Sequence, residues 1–104
     1  MNPETFDTRA RLRQAAALAA AMLDARPDPT LAAIARNAGV VASSRHHDQC
    51  AVAFEYKAGG ETKTVSWPAV GFFTAESAAL PLERIAENFV AVLDDLAARE
   101  NVEG

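Results

Sequence analysis

Apolar residues in the first quarter of the chain recur at the spacing of an α-helix. At about 100° per residue, Leu12, Ala15, Ala16, Ala19, Met22 and Leu23 share one face. This predicts a long helix over 3–26, ended by Pro27 and Pro29. Its outward face carries Ala10, Ala17 and Ala21 where charges are usual, either as helix-favouring filler or as the contact of a homodimer. A short second helix is expected over 31–38, with Thr30 as N-cap and Gly39 as a left-handed C-cap. The period then changes from helical to alternating. Val52, Phe54 and Tyr56 alternate with Ala51, Ala53, Glu55 and Lys57, and Lys63, Val65 and Trp67 alternate with Thr64 and Ser66. Two strands therefore flank a turn at 58–61, Ala-Gly-Gly-Glu, and 40–44 offers a third strand. Pro68 stops the second arm, because it has no N–H for the ladder. The connection over 69–80 holds a helical turn after Thr74, and Pro81 stands at a first-turn position. Leu82, Ile85, Ala86, Phe89, Val92, Leu93 and Leu96 then form an unbroken stripe that predicts a final helix to Arg99. The order gives an α+β fold in one domain over 1–104: a long N-terminal helix, a short helix and a two- or three-stranded antiparallel sheet. The C-terminal amphipathic helix packs on one sheet face.

Composition sharpens this in two ways. The chain has 24 alanines among 104 residues, each burying little area, so stability must rest on a few large side chains. These are Leu12, Met22, Leu23, Phe54, Tyr56, Trp67, Phe72, Phe73, Ile85, Phe89, Leu93 and Leu96. Cys50 is the only cysteine, which excludes an intrachain disulfide and points to a reducing compartment. The first residues hold no apolar run behind basic ones, and the run at 15–23 is far short of the roughly 20 residues a membrane span needs. The expectation is a cytoplasmic protein with no membrane contact.

Charge is unevenly placed. Seven of the fourteen carboxylates follow Thr74, against only Arg84 and Arg99. On the final helix Glu83, Glu87 and Asp94 fall within about 40° of one another, beside the apolar face. The like-charged pair Glu83 and Glu87 costs roughly 0.2–0.5 kcal/mol in a helix, so the sequence tolerates a penalty there. Such a stripe suits a protein partner with a basic surface, gaining on-rate and selectivity from complementary charge. It is too dilute to imitate nucleic acid: over about 16 Å it offers three carboxylates where duplex DNA offers about nine charges. The adjacent Phe72 and Phe73 lie off any regular element and seldom would both face inward, so one of them is the candidate anchor for a partner pocket.

Other chemistries are incomplete. His46, His47 and Cys50 are metal-ligand types within five residues, but the chain has no other Cys or His to complete a zinc site. No metal or cofactor is expected. Ser43, Ser44, His46, His47 and Asp48 include the residue types of a nucleophile triad, yet sequence neighbours rarely converge on one point. The turn at 58–61 lacks a phosphate-loop pattern, and Glu55 and Glu61 do not form an acid–base pair, so no catalytic residues are assigned and no enzyme is expected.

The stretch 30–44, Thr-Leu-Ala-Ala-Ile-Ala-Arg-Asn-Ala-Gly-Val-Val-Ala-Ser-Ser, resembles the first helix and turn of the helix-turn-helix in bacterial repressors of the LacI type. In that resemblance Leu31 and Ile34 face inward, Ala35 lies at the helix crossing, Gly39 makes the turn and Val40 plugs the corner. Ser43 and Ser44 would open the recognition helix, whose inward positions fall on Arg45 and Asp48. Burying either unpaired costs several kcal/mol, and few cations stand nearby to hold phosphates, which makes nucleic acid the weaker partner. The favoured reading is a non-enzymatic small acidic protein-binding module, of the kind met among phage or mobile-element inhibitors. It would dock through Glu83, Glu87 and Asp94 with Phe72 or Phe73. The alternative is a helix-turn-helix DNA-binding transcriptional regulator.

Overall fold

A computed structural model of the chain describes residues 3–42, 50–72 and 81–103. The described residues form three α-helices and one three-stranded antiparallel sheet, the α+β class expected from the pattern. Helix α1 spans Pro3–Ala25 and buries Leu12, Ala15, Ala16, Ala19, Ala20 and Leu23. Helix α2 spans Pro29–Arg36, two residues earlier at each end than the spacing predicts. Its N-cap is Asp28, whose carboxylate accepts from the Leu31 N–H at 3.3 Å, and not Thr30. Pro29 explains the shift: at the first helical position its missing N–H is no loss and its fixed φ already suits a helix. Asn37 caps the C-terminus, so Gly39 is free to begin a strand instead of closing the helix.

Strand β1 is Gly39–Ala42, β2 is Cys50–Ala58 and β3 is Glu61–Pro68, in the order β1-β2-β3. Gly39 pairs with Ala53 and Val41 with Ala51, while Val52 pairs with Trp67 and Ala58 with Glu61. The hairpin turn has φ of 60° at Gly59 and 79° at Gly60, a type I′ geometry that L side chains rarely adopt. Because Gly39–Ala42 is a paired strand, the resemblance to a helix-turn-helix fails at its turn: about 13 Å of extended chain leads away from α2 before residue 43. Residues 43–49, which hold Ser43, Ser44, Arg45, His46, His47 and Asp48, lie outside the described residues.

Pro68 ends β3 as expected and a 3-10 turn follows over Ala69–Phe72. The helical turn expected after Thr74 lies outside the described residues, as does Phe73. Helix α3 spans Leu82–Glu100 and buries Ile85, Ala86, Phe89, Leu93 and Leu96. Asn101 is left-handed at φ 51°, and turns the chain back so that the Glu103 N–H donates to the Lys57 carbonyl at 2.7 Å, a lone antiparallel bridge on β2.

The core lies between the helices and the inner sheet face, where Cys50, Val52, Phe54, Tyr56 and Ala58 are buried. At its centre Phe72 stacks on Phe89 with centroids 4.2 Å apart, and Phe54 meets both rings edge-on at 6.2 and 6.1 Å. Met22 and Trp67 are half-buried at its margin, with the Arg99 guanidinium 5.7 Å from the Trp67 ring. Among the described residues no helix is long and apolar enough to cross a membrane.

Candidate functional site

Five carboxylates lie on α3, and the fold divides them. At about 100° per residue, Val90, Glu83, Asp94 and Glu87 follow one another around the flank that faces α1, whereas Asn88, Asp95 and Arg99 lie on the opposite flank. The opposite flank borders the sheet: Asn88 Nδ2 donates to the Phe72 carbonyl at 2.7 Å, and Arg99 bonds Asp95 at 2.8 Å beside Trp67. At the helix end Glu100 accepts from the Tyr56 hydroxyl at 3.3 Å. Burial, reinforced by the Glu100 charge, pushes the Tyr56 phenol up. Asp95 and Glu100 are therefore held by neighbours within the fold.

On the α1 flank the expected stripe of three does not survive intact. Arg26, at the end of α1, forks onto Asp94 with bonds of 2.7 and 3.1 Å and also reaches Asp28 at 3.2 Å. These bonds hold the Asp94 carboxyl below its usual range against the partial burial that opposes them, and they push the Arg26 guanidinium up. Asp94 is thus neutralised, because the packing of α1 against α3 sets a bidentate donor beside it. Glu87 meets Arg84 only at 3.9 Å with both side chains more than half exposed, a contact of little consequence in water. Glu83 is exposed in the first turn, where its charge suits the positive end of the helix. What remains of the stripe is Glu83 and Glu87, one turn and about 6 Å apart along the helix, next to the half-buried Val90. Leu18 and Met22, also half-buried, lie four apart on α1 in the same row as Arg26.

Of the two candidate anchors, Phe73 lies outside the described residues and Phe72 is a core residue. Phe72 is fully buried between Phe54 and Phe89 and offers nothing to a partner, because the 3-10 turn aims it into the gap between β2 and α3. On α1, Ala17 and Ala21 are exposed and Ala10 is half-buried. Asp24, on the same helix, bonds Arg36 of α2 at 2.6 Å.

The single cysteine is a core residue. Cys50 is 3 % exposed, and burial pushes its thiol up against the opposing pull of Arg9, which leaves it a poor nucleophile at neutral pH. Among the described residues no group of three His, Cys, Asp or Glu side chains is placed to hold a metal.

Sequence reasoning missed a groove of about 530 Å³ between α2 and the stretch of β2 that β1 leaves uncovered. Ile34 and Tyr56, each 6 % exposed, contribute to it, together with Ala33, Asn37, Glu55 and Glu103. The one signal for it was Asn101, a residue type suited to a left-handed cap that would return the chain toward the sheet. Comparison with known protein families, curated proteins and solved structures finds no match for this chain.

Proposed function

We propose that the chain is a non-catalytic protein-binding module that docks a partner's basic surface on the α1-facing flank of α3. The observation that carries this reading is the pair Glu83 and Glu87, two carboxylates one turn apart that the fold leaves exposed while it neutralises Asp94. Like charges four apart oppose helix formation, and a cationic partner removes that cost on binding. Val90 on that flank of α3, with Leu18 and Met22 on the Arg26 row of α1, all half-buried, would give the contact an apolar centre inside a charged rim.

The test is charge reversal on the intact chain. With Glu83→Lys and Glu87→Lys together, salt-sensitive capture of a basic protein from the native cell or its host is expected to vanish, with thermal stability nearly unchanged. Capture that survives the double reversal, or a wild-type protein that retains no basic species at low salt, defeats the reading.

A further inference from the structure

The pairing pattern of β2 leaves one backbone position open. In a two-residue type I′ hairpin the pair closing the turn exchanges both hydrogen bonds, so Ala58 faces Glu61 and, by alternation, Tyr56, Phe54, Val52 and Cys50 direct their backbone groups to β3. Ala51, Ala53, Glu55 and Lys57 direct theirs to the opposite edge. There Ala51 and Ala53 meet Val41 and Gly39 of β1, and the Lys57 carbonyl receives the Glu103 N–H. Glu55 lies between these filled positions. Continuing the β1 register would set Asn37 opposite Glu55, but Asn37 caps α2 and gives its N–H to the Ala33 carbonyl at 3.1 Å. Among the described residues the Glu55 N–H and C=O therefore have no strand partner on that edge, and they border the groove formed with Ile34, Ala33 and Asn37.

We propose that this edge of β2, from Glu55 to Lys57, is a docking slot for an extended peptide segment of a partner, which the chain's own Glu103 occupies until displaced. The chemistry names the occupant. An open donor and acceptor on one strand residue are matched by another extended backbone, and this edge already accepts one extended residue in Glu103. That residue is held lightly, by its 2.7 Å backbone bond and a 3.2 Å contact of its carboxylate with the Gly60 N–H. An incoming strand replaces that single bridge with pairings at both Glu55 and Lys57. It sets an apolar side chain toward Ile34 and Tyr56, with Ala33 small enough to admit it. The slot is distinct from Glu83 and Glu87 and stands whether or not that flank binds anything.

The probe is a phage-displayed library of random heptapeptides, selected on the intact wild-type chain and on Glu103→Pro, which lacks the N–H that reaches Lys57. Enriched peptides are expected to shift the amide resonances of Glu55, Lys57, Ala33 and Glu103 and to slow Glu55 amide exchange at least tenfold. They are expected to bind Glu103→Pro several-fold tighter, and to lose binding to Ala33→Trp, an exposed position whose indole fills the groove. The proposal falls if no peptide enriches on either protein, or if enriched peptides bind Ala33→Trp equally well. It falls too if the Glu55 amide of the free protein exchanges as slowly as those of Phe54 and Tyr56. Protection of Glu55 that grows with protein concentration would assign the slot to a second copy and overturn a peptide partner.

Discussion

Replacing Phe72 with alanine separates two roles that adjacent phenylalanines leave open, core packing and a surface anchor. The ring is 0 % exposed, stacks on Phe89 at 4.2 Å and meets Phe54 edge-on at 6.2 Å, so it joins the 3-10 turn to β2 and α3 at once. A buried phenylalanine removes roughly 150–250 Å² from water, worth about 4–6 kcal/mol at about 25 cal/mol per Å², and alanine keeps only the Cβ share of it. The expected loss is about 3–5 kcal/mol, in line with phenylalanine truncations elsewhere, and the two ring contacts put it toward the upper end. A domain of this size has roughly 5–15 kcal/mol in total, so Phe72→Ala folds marginally and Phe72→Leu is the companion variant, at a cost of about 1–2 kcal/mol. Urea unfolding followed by far-UV circular dichroism measures both. With a slope of about 2 kcal/mol per molar, a loss of about 4 kcal/mol moves the midpoint down by roughly 2 M. A shift of Phe72→Ala below about 0.5 kcal/mol, the range of ordinary surface substitutions, refutes the core assignment.

Two further expectations test local features. Because Arg26 holds the folded Asp94 carboxyl below its unfolded value, the pair contributes stability above the usual carboxylate range and loses it as pH falls through the folded value. The melting temperatures of wild type and Asp94→Asn should therefore differ at pH 7, and the gap should narrow as pH falls below the usual carboxylate range; a constant gap would show that the fork does not titrate. Asp28→Ala should cost about 0.5–2 kcal/mol by removing the α2 cap, whereas Thr30→Ala should stay within about 0.5 kcal/mol; the reverse order in thermal melts would restore Thr30 as the cap.

The elements that show in the sequence are those with a sustained period. The stripe from Leu82 to Leu96 and the two alternating runs around Gly59 and Gly60 define α3 and the hairpin, because α3 and β2 each bury one face and expose the other, while β3 keeps the alternation with only Val65 and Trp67 half-buried. Boundaries set by competing local chemistry are harder: both Asp28 and Thr30 are good N-caps, and Pro29 between them decides in favour of Asp28. The candidate surface was legible only in part. Glu83 and Glu87 share a flank by spacing alone, but the neutralisation of Asp94 depends on Arg26, 68 residues away, and no periodicity reports such a contact. Phe72 sits in an aperiodic connection, so its direction follows from where Phe54 and Phe89 leave room. The open position at Glu55 needs the length of β1 and the return of Glu103, both of which follow from tertiary packing.

The inward side of α1 has one further consequence. Among its described side chains, which begin at Arg9, four of the six buried ones are methyl groups, those of Ala15, Ala16, Ala19 and Ala20, and Leu12 and Leu23 supply the bulk. Methyls let two helix backbones approach closely, which gives a snug but weakly cohesive seam, while the ring trio beneath concentrates adhesion at one point. When the molecule loosens, α1 is the layer expected to peel away first, and the Arg26 fork at its far end then acts as a hinge pin that keeps the detached rod tethered to α3.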